Sequence, residues 1–237
     1  MIPVRTTVIS RRGDAALYDD GLRAYMLRVY NLMGLGLAVT GLVAYAVANT
    51  PALFNLIFGT PLMWVVMLAP IGLAFFLGAR VQRMSQGTAQ VTFWIFAALM
   101  GASLATVFAV FTGASIARVF FITAAAFGGL SLYGYTTKKS LSGWGSFLLI
   151  GLIGIIVASV VNLFIGSSAL QFAVSVIGVI VFAGLTAYDT QRIKLVYDQV
   201  AGTEMAGKMA ILGALSLYLD FINLFMLLLQ FFGTQRE

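Results

Sequence analysis

Residues 140–188 read SLSGWGSFLLIGLIGIIVASVVNLFIGSSALQFAVSVIGVIVFAGLTAY, 49 positions without one Asp, Glu, Lys or Arg. One helix needs about 20 apolar residues to cross the hydrocarbon core of a bilayer. The run therefore holds two, and Gly166-Ser167-Ser168 near its middle supplies the turn between them. Spanning β-strands alternate apolar and polar side chains, whereas Leu148 to Val161 is apolar almost without a break. The stretch reads as a helical hairpin in a membrane.

The same reading extends outward. A second uncharged run of 51 residues, Val29 to Ala79, carries turn residues at Asn49-Thr50-Pro51 and Gly59-Thr60-Pro61. Met84 to Ala117 holds one helix closed by Thr112-Gly113, and Val119 to Tyr135 makes another. The last apolar block, Met209 to Phe232, is interrupted only by Asp220. The expected spans are 29–48, 61–79, 91–111, 118–135, 145–165, 170–189 and 208–232, an all-α polytopic bundle of seven transmembrane helices. Composition agrees. Of 237 residues 61% are hydrophobic and 9% charged, against about 45–50% and 25% in soluble domains, and the mean hydropathy is +0.99. The chain has no Cys and no His, which excludes disulfides, thiolate nucleophiles, imidazole bases and Zn–His sites.

Basic residues orient the bundle. With the N-terminus in the cytoplasm, Arg5, Arg11, Arg12, Arg23, Arg28, Arg80, Arg83, Lys138, Lys139, Arg192, Lys194 and Lys208 fall inside, and only Arg118 and Arg236 outside. A six-span arrangement with a re-entrant last segment stays open on this criterion. The cations sit on separate loops, so the pI of about 9.8 reflects topology and no nucleic-acid partner is expected. Residues 1–24 are polar and read as a cytoplasmic tail, flexible from Ser10 to Asp20, ahead of a transmembrane domain at 25–237. No cleaved signal peptide is expected.

Much of the remaining pattern reads as packing. Ala97, Gly101, Ala105 and Ala109 form a small-residue stripe of the kind that lets helices approach closely, and Gly128-Gly129, Gly151 and Gly154 read the same way. Tyr25, Tyr30, Trp64, Tyr135 and Trp144 near span ends read as interface anchors.

Two carboxylates stand apart. Asp189 closes the sixth span and Asp220 sits within the seventh. An ionised carboxylate at the membrane centre costs at least about 2.5–3.5 kcal/mol, so each is a candidate site. Facing residues of an antiparallel hairpin are equidistant from its turn. Asp189 and Asp220 are centred on 204.5, as are Gly202 and Gly207, which bracket the expected turn. The two acids are thus expected at one depth. Ser216 and Asn223 share a helix face with Asp220, and Arg192 follows Asp189 by three residues, so an Asp189–Arg192 salt bridge is an alternative role for that acid. Two carboxylates held together in low dielectric share a proton and titrate as a unit. Deprotonated, they attract a cation. Ca²⁺ takes six to eight oxygens, and Asp189, Asp220, Ser216, Asn223 and waters supply a weak, transient set.

The block Leu215-Ser216-Leu217-Tyr218-Leu219-Asp220-Phe221-Ile222-Asn223-Leu224-Phe225, followed by Phe231-Phe232-Gly233, resembles the C-terminal signature of the Bax inhibitor motif family. Ile177-Gly178, Tyr188-Asp189 and Gln191-Arg192-Ile193-Lys194 resemble its sixth-helix signature. The resemblance is strongest from Ile177 to Gly233. It implies a seven-helix bundle whose last helix is surrounded by the other six. It also implies a calcium leak gated by a paired-aspartate pH sensor at Asp189 and Asp220, with Ca²⁺ as permeant ion and no cofactor. Bacterial relatives latch the sensor with a basic residue at the end of the second helix. Here Arg80 stands about two positions later than that pattern, and Pro61 to Ala79 contains no acid where some relatives have one. The resemblance and the short tail point to a bacterial inner membrane.

The same residues bear on other classes. An intramembrane aspartyl protease carries its second acid in Gly-x-Gly-Asp, but here Tyr218-Leu219 precede Asp220, so no catalytic residue is assigned. A retinal protein needs a Lys that Met209 to Phe232 lacks. A proton-coupled transporter, or a non-conducting regulator that binds a membrane-protein partner, remains an alternative.

Overall fold

The computed structural model describes the backbone of residues 5–236 and the side chains of residues 18–236. In chain order its helices are α1 (Arg5–Ala48), α2 (Pro51–Phe58), α3 (Leu62–Arg80), α4 (Gln86–Ser103), α5 (Ala105–Val110), α6 (Gly113–Thr136), α7 (Ser142–Ile165), α8 (Ser168–Val200) and α9 (Met205–Phe232). Seven stretches are long and apolar enough to cross a membrane: Tyr18–Ala48, Leu62–Arg83, Gln86–Val110, Gly113–Thr136, Ser142–Ile165, Ser168–Val200 and Met205–Phe232. They match the seven spans expected from sequence, and the turn chemistry explains most of their ends. Ser85, Thr112 and Ser167 cap α4, α6 and α8 by accepting from the backbone N–H of Thr88, Ser115 and Leu170, as N-cap hydroxyls do. Gly166 ends α7 in the left-handed region at φ 65°, where a Cβ is penalised.

Three boundaries differ from the sequence reading. First, helix α1 begins at Arg5, so the segment taken as a flexible tail has helical backbone, and its end docks: Gly21 lies against Tyr197, and Tyr18 donates to Asp198. Residues 1–4 of that tail lie outside the described residues. Second, the third span is broken at Leu104, which separates α4 from α5. Third, α8 continues eleven residues past Asp189 to Val200. The hydrophobic run stops at Asp189, but the helix does not, because its next turns find partners. Gln191 accepts from Leu141 N at 2.7 Å and donates to Lys139 O at 2.9 Å. Lys194 Nζ donates to Tyr135 O at 3.0 Å, while Ile193 and Tyr197 are buried.

Helix α9 is unbroken over 28 residues, about 42 Å at 1.5 Å per residue. It ends against the α5–α6 junction. Thr112 N donates to Thr234 O at 3.0 Å, Arg236 N to Val110 O at 2.9 Å, and Thr234 N to Ser115 Oγ at 2.8 Å. A helix of that length, pinned at the far end of the bundle, traverses it and is not re-entrant. It is also the most deeply packed span, with 61% of its apolar window buried against at most 39% in any other. It touches α1, α3, α4, α6 and α8, whereas α7 packs chiefly on α8.

The small-residue stripe works at three of its four positions. Ala97, Gly101 and Ala105 are buried and Ala109 is exposed. A Cβ on Gly101 would meet the Thr40 backbone, and one on Gly134 would meet the Ala187 backbone, so these two glycines set how closely α1 nears α4 and α6 nears α8. A Cβ on Gly128, Gly129 or Gly154 would meet nothing within 4 Å, so helix contact does not explain them. Among the expected interface anchors, Trp64 and Trp144 are exposed, but Tyr25 is buried and its ring packs at a tilt of 37° against Tyr197, 5.2 Å between centroids.

Candidate functional site: the aspartate pair and its cavities

The α8–α9 connection is Ala201–Glu204, with Gly202 at φ 73°. It is tighter than the Gly202–Gly207 turn expected from sequence, and that shifts the register. Residues level with each other are now centred midway between Val200 and Met205. Two contacts obey this register: Ser175 Oγ donates to Gln230 Oε1 at 2.9 Å, and Gly178 lies against Leu227. Asp189 is therefore level with Ser216, and Asp220 sits one helical turn deeper. The expectation of equal depth is corrected by that turn. The two carboxylates still line one space.

Burial separates their roles. Asp220 is 4% exposed, and its Oδ2 has no hydrogen-bond partner among the described residues. Asp189 is half-buried. A buried carboxylate oxygen without a partner carries a desolvation cost, which a proton or a cation in the adjoining cavity would offset.

Two cavities adjoin at Asp189, and the second also reaches Asp220. One, of about 540 Å³, lies among α1, α3, α4, α8 and α9 and is lined by Tyr25, Pro70, Gly78, Phe96, Asp189, Arg192 and Met209, with others. The second, of about 1010 Å³, lies among α7, α8 and α9. It runs from Asp189 and Asp220 past Asn223, Ser175 and Asn162 to Gly166 and Gln230, at the opposite end of the bundle. Asp189, Ser216 and Leu219 line both. Together the two spaces extend along most of α8 and α9, with those three side chains between them.

The candidate latch residues are placed differently. Arg192 lines the first cavity with Asp189. Arg80 is exposed and does not line it, although Gly78 on the same helix does. Two residues is about 200° of helical rotation, so Arg80 points away from the space that Gly78 faces. Asn223 lines the second cavity while donating its amide to Leu219 O at 2.7 Å. Phe221 and Phe225 turn the other way, against Phe120. Among the described residues no three Asp, Glu, His or Cys side chains cluster as a metal site, so any Ca²⁺ here would meet two carboxylates and neutral oxygens.

Sequence reasoning missed the uncharged polar lining of the second cavity: Ser159, Asn162, Gln171, Ser175 and Gln230. Their signal was present but weak. Each is a single polar residue in an apolar run, and only the hairpin register shows that Ser175 and Gln230 meet.

Comparison with known proteins adds a family. A model of the family described as inhibitor of apoptosis-promoting Bax1 matches residues 22–237. The chain is 48% identical over 219 residues to inner membrane protein YbhL of Escherichia coli, covering 91% of this chain and 94% of the relative. It is 50% identical over 229 residues to an uncharacterized protein of Caulobacter vibrioides, covering 92% of each. An uncharacterized membrane protein of Streptococcus pyogenes is 35% identical over 217 residues, covering 91% of this chain and 94% of the relative.

Proposed function

The chain belongs to the family described as inhibitor of apoptosis-promoting Bax1, and from that membership we propose that it is a pH-sensitive leak for cations, Ca²⁺ among them, gated by Asp189 and Asp220. One observation carries this reading: the two cavities on opposite halves of the bundle share Asp189, Ser216 and Leu219 in their walls, with the buried Asp220 opening on one of them. In the closed state the two carboxylates share a proton, or Arg192 holds Asp189. When the proton leaves or the arginine swings out, the pair becomes a doubly charged ring of acceptors in low dielectric, which favours a cation beside it. The neutral oxygens of Ser216, Asn223 and Ser175 then coordinate the ion in place of part of its water shell as it passes through the wider cavity.

The proposed setting is a bacterial inner membrane with the N-terminus in the cytoplasm. The bias of Lys and Arg supports this orientation, and the name of the Escherichia coli relative supports the compartment. The test is Ca²⁺ flux into liposomes carrying the pure protein, scanned across pH, for wild type, Asp189→Asn and Asp220→Asn. Wild-type flux with a pH profile that flattens in Asp220→Asn is the expected result. Flux equal to that of protein-free liposomes at every pH replaces the leak with a non-conducting regulator or a proton-coupled transporter.

A further inference from the structure

Away from the aspartates, a third recess has the build of a binding site. Between α1 and α6 lies a groove of about 730 Å³ at the end of the bundle where α1 enters it, within the roughly 300–1,000 Å³ range of ligand pockets. Its floor is Leu22, Met26, Phe127 and Ser131, all buried, and its rims are the exposed Leu27 and Leu132. The floor's hydroxyls are satisfied among themselves. Thr190 donates to Thr186 O at 2.8 Å, so Ser131 donates to Thr190 at 2.9 Å and Tyr30 to Ser131 at 2.6 Å. Polar recognition therefore falls to the mouth, where Asp19, Asp20 and Arg23 are exposed. Gly128 lines the groove, and a Cβ there would meet nothing within 4 Å. Its missing side chain keeps the groove wide, which gives this glycine the role that helix packing does not.

We propose that the groove holds one phospholipid whose head group carries both an ammonium and a phosphate, with an acyl chain lying between α1 and α6. Charge argues for the head group. Asp19 and Asp20 suit an ammonium, and Arg23 suits a phosphate through its planar fork. A head group with the phosphate but no ammonium would pair with Arg23 alone and leave the two carboxylates without a cation. Polarity along the groove argues for the chain. Along α6 the groove runs from Tyr135, at the expected end of that span, to Phe127, eight residues or about 12 Å of helix, most of one leaflet of a hydrocarbon core about 30 Å thick. The groove is thus charged beyond the end of that span, where a head group sits, and mostly apolar within it.

The experiment is native mass spectrometry of the full chain in mild detergent, titrated with phosphatidylethanolamine or phosphatidylglycerol. The wild type should retain one phosphatidylethanolamine, preferred by roughly fivefold, the factor for an exposed charge pair worth up to about 1 kcal/mol. Gly128→Leu, at a position with no neighbour to displace, should abolish retention by filling the groove. Asp19→Asn with Asp20→Asn should keep retention and erase the head-group preference. Retention that survives Gly128→Leu, a preference that survives the paired Asp→Asn change, or a wild type that retains neither lipid overturns the proposal.

Discussion

Thr40 has one hydroxyl proton and gives it to Ala97 O at 2.8 Å. Its 2.6 Å contact with Tyr218 must therefore be a bond donated by the tyrosine. This small chain ties α1, α4 and α9 together at a point where Tyr218 is fully buried between Phe93 and Phe96. Thr40→Val keeps the shape but strands the phenol and the carbonyl. The expected cost is about 1 kcal/mol, in line with hydrogen bonds between membrane helices. Tyr218→Phe should cost a similar amount, and the double variant little more than either alone, because both remove one shared interaction. Denaturation midpoints in detergent would check the cycle. At the same scale, the aspartates were legible from sequence because a charge in an apolar run is costly wherever it lies. The Thr40–Tyr218 bond was not, since a threonine and a tyrosine in separate spans carry no mark of each other.

Elements were legible by hydrophobic length, and their joints by contact. Seven spans follow from where charges are absent, but the extension of α8 to Val200 follows from Gln191 and Lys194 finding the α6–α7 connection. The register of α8 against α9 depends on how tightly Ala201–Glu204 turns, which glycine positions alone misplace by two residues. Glycines likewise look alike in sequence and differ in structure. Gly134→Leu should drive α6 off the Ala187 backbone and lower thermal stability markedly, since a bulky group against backbone has nowhere to go. Gly154→Leu, beside open space on α7, should change the midpoint little. A fluorescence-detected size-exclusion thermal series on both variants compares them directly, and equal loss in the two would refute the distinction.

For the molecule as a whole, the decisive feature is that two cavities share three side chains of their walls. Ser216 lines both and is only half-buried, so Ser216→Phe should plug the junction. The expected result in the liposome assay is a loss of most Ca²⁺ flux at every pH. That differs from Asp220→Asn, which should alter the pH profile while leaving the passage open. Unchanged flux in a folded Ser216→Phe protein would mean that ions do not pass between Asp189 and Leu219. The cavities themselves were beyond the reach of sequence, because a void is made by residues from five helices and belongs to none of them.

The burial of α9 also has a consequence for biosynthesis. The span that contributes Tyr218, Leu217 and Leu224 to the core follows the other six in chain order, and its end is fastened through Thr234 and Arg236. Until it has been made, the earlier helices can enter the bilayer but lack the helix that most of them pack against. Assembly of the interior must therefore wait for α9. A nascent chain that stalls before Gly207 would be an inserted but hollow intermediate, and its unpaired Thr40 and open Phe93 face would suit it for recognition by membrane quality control.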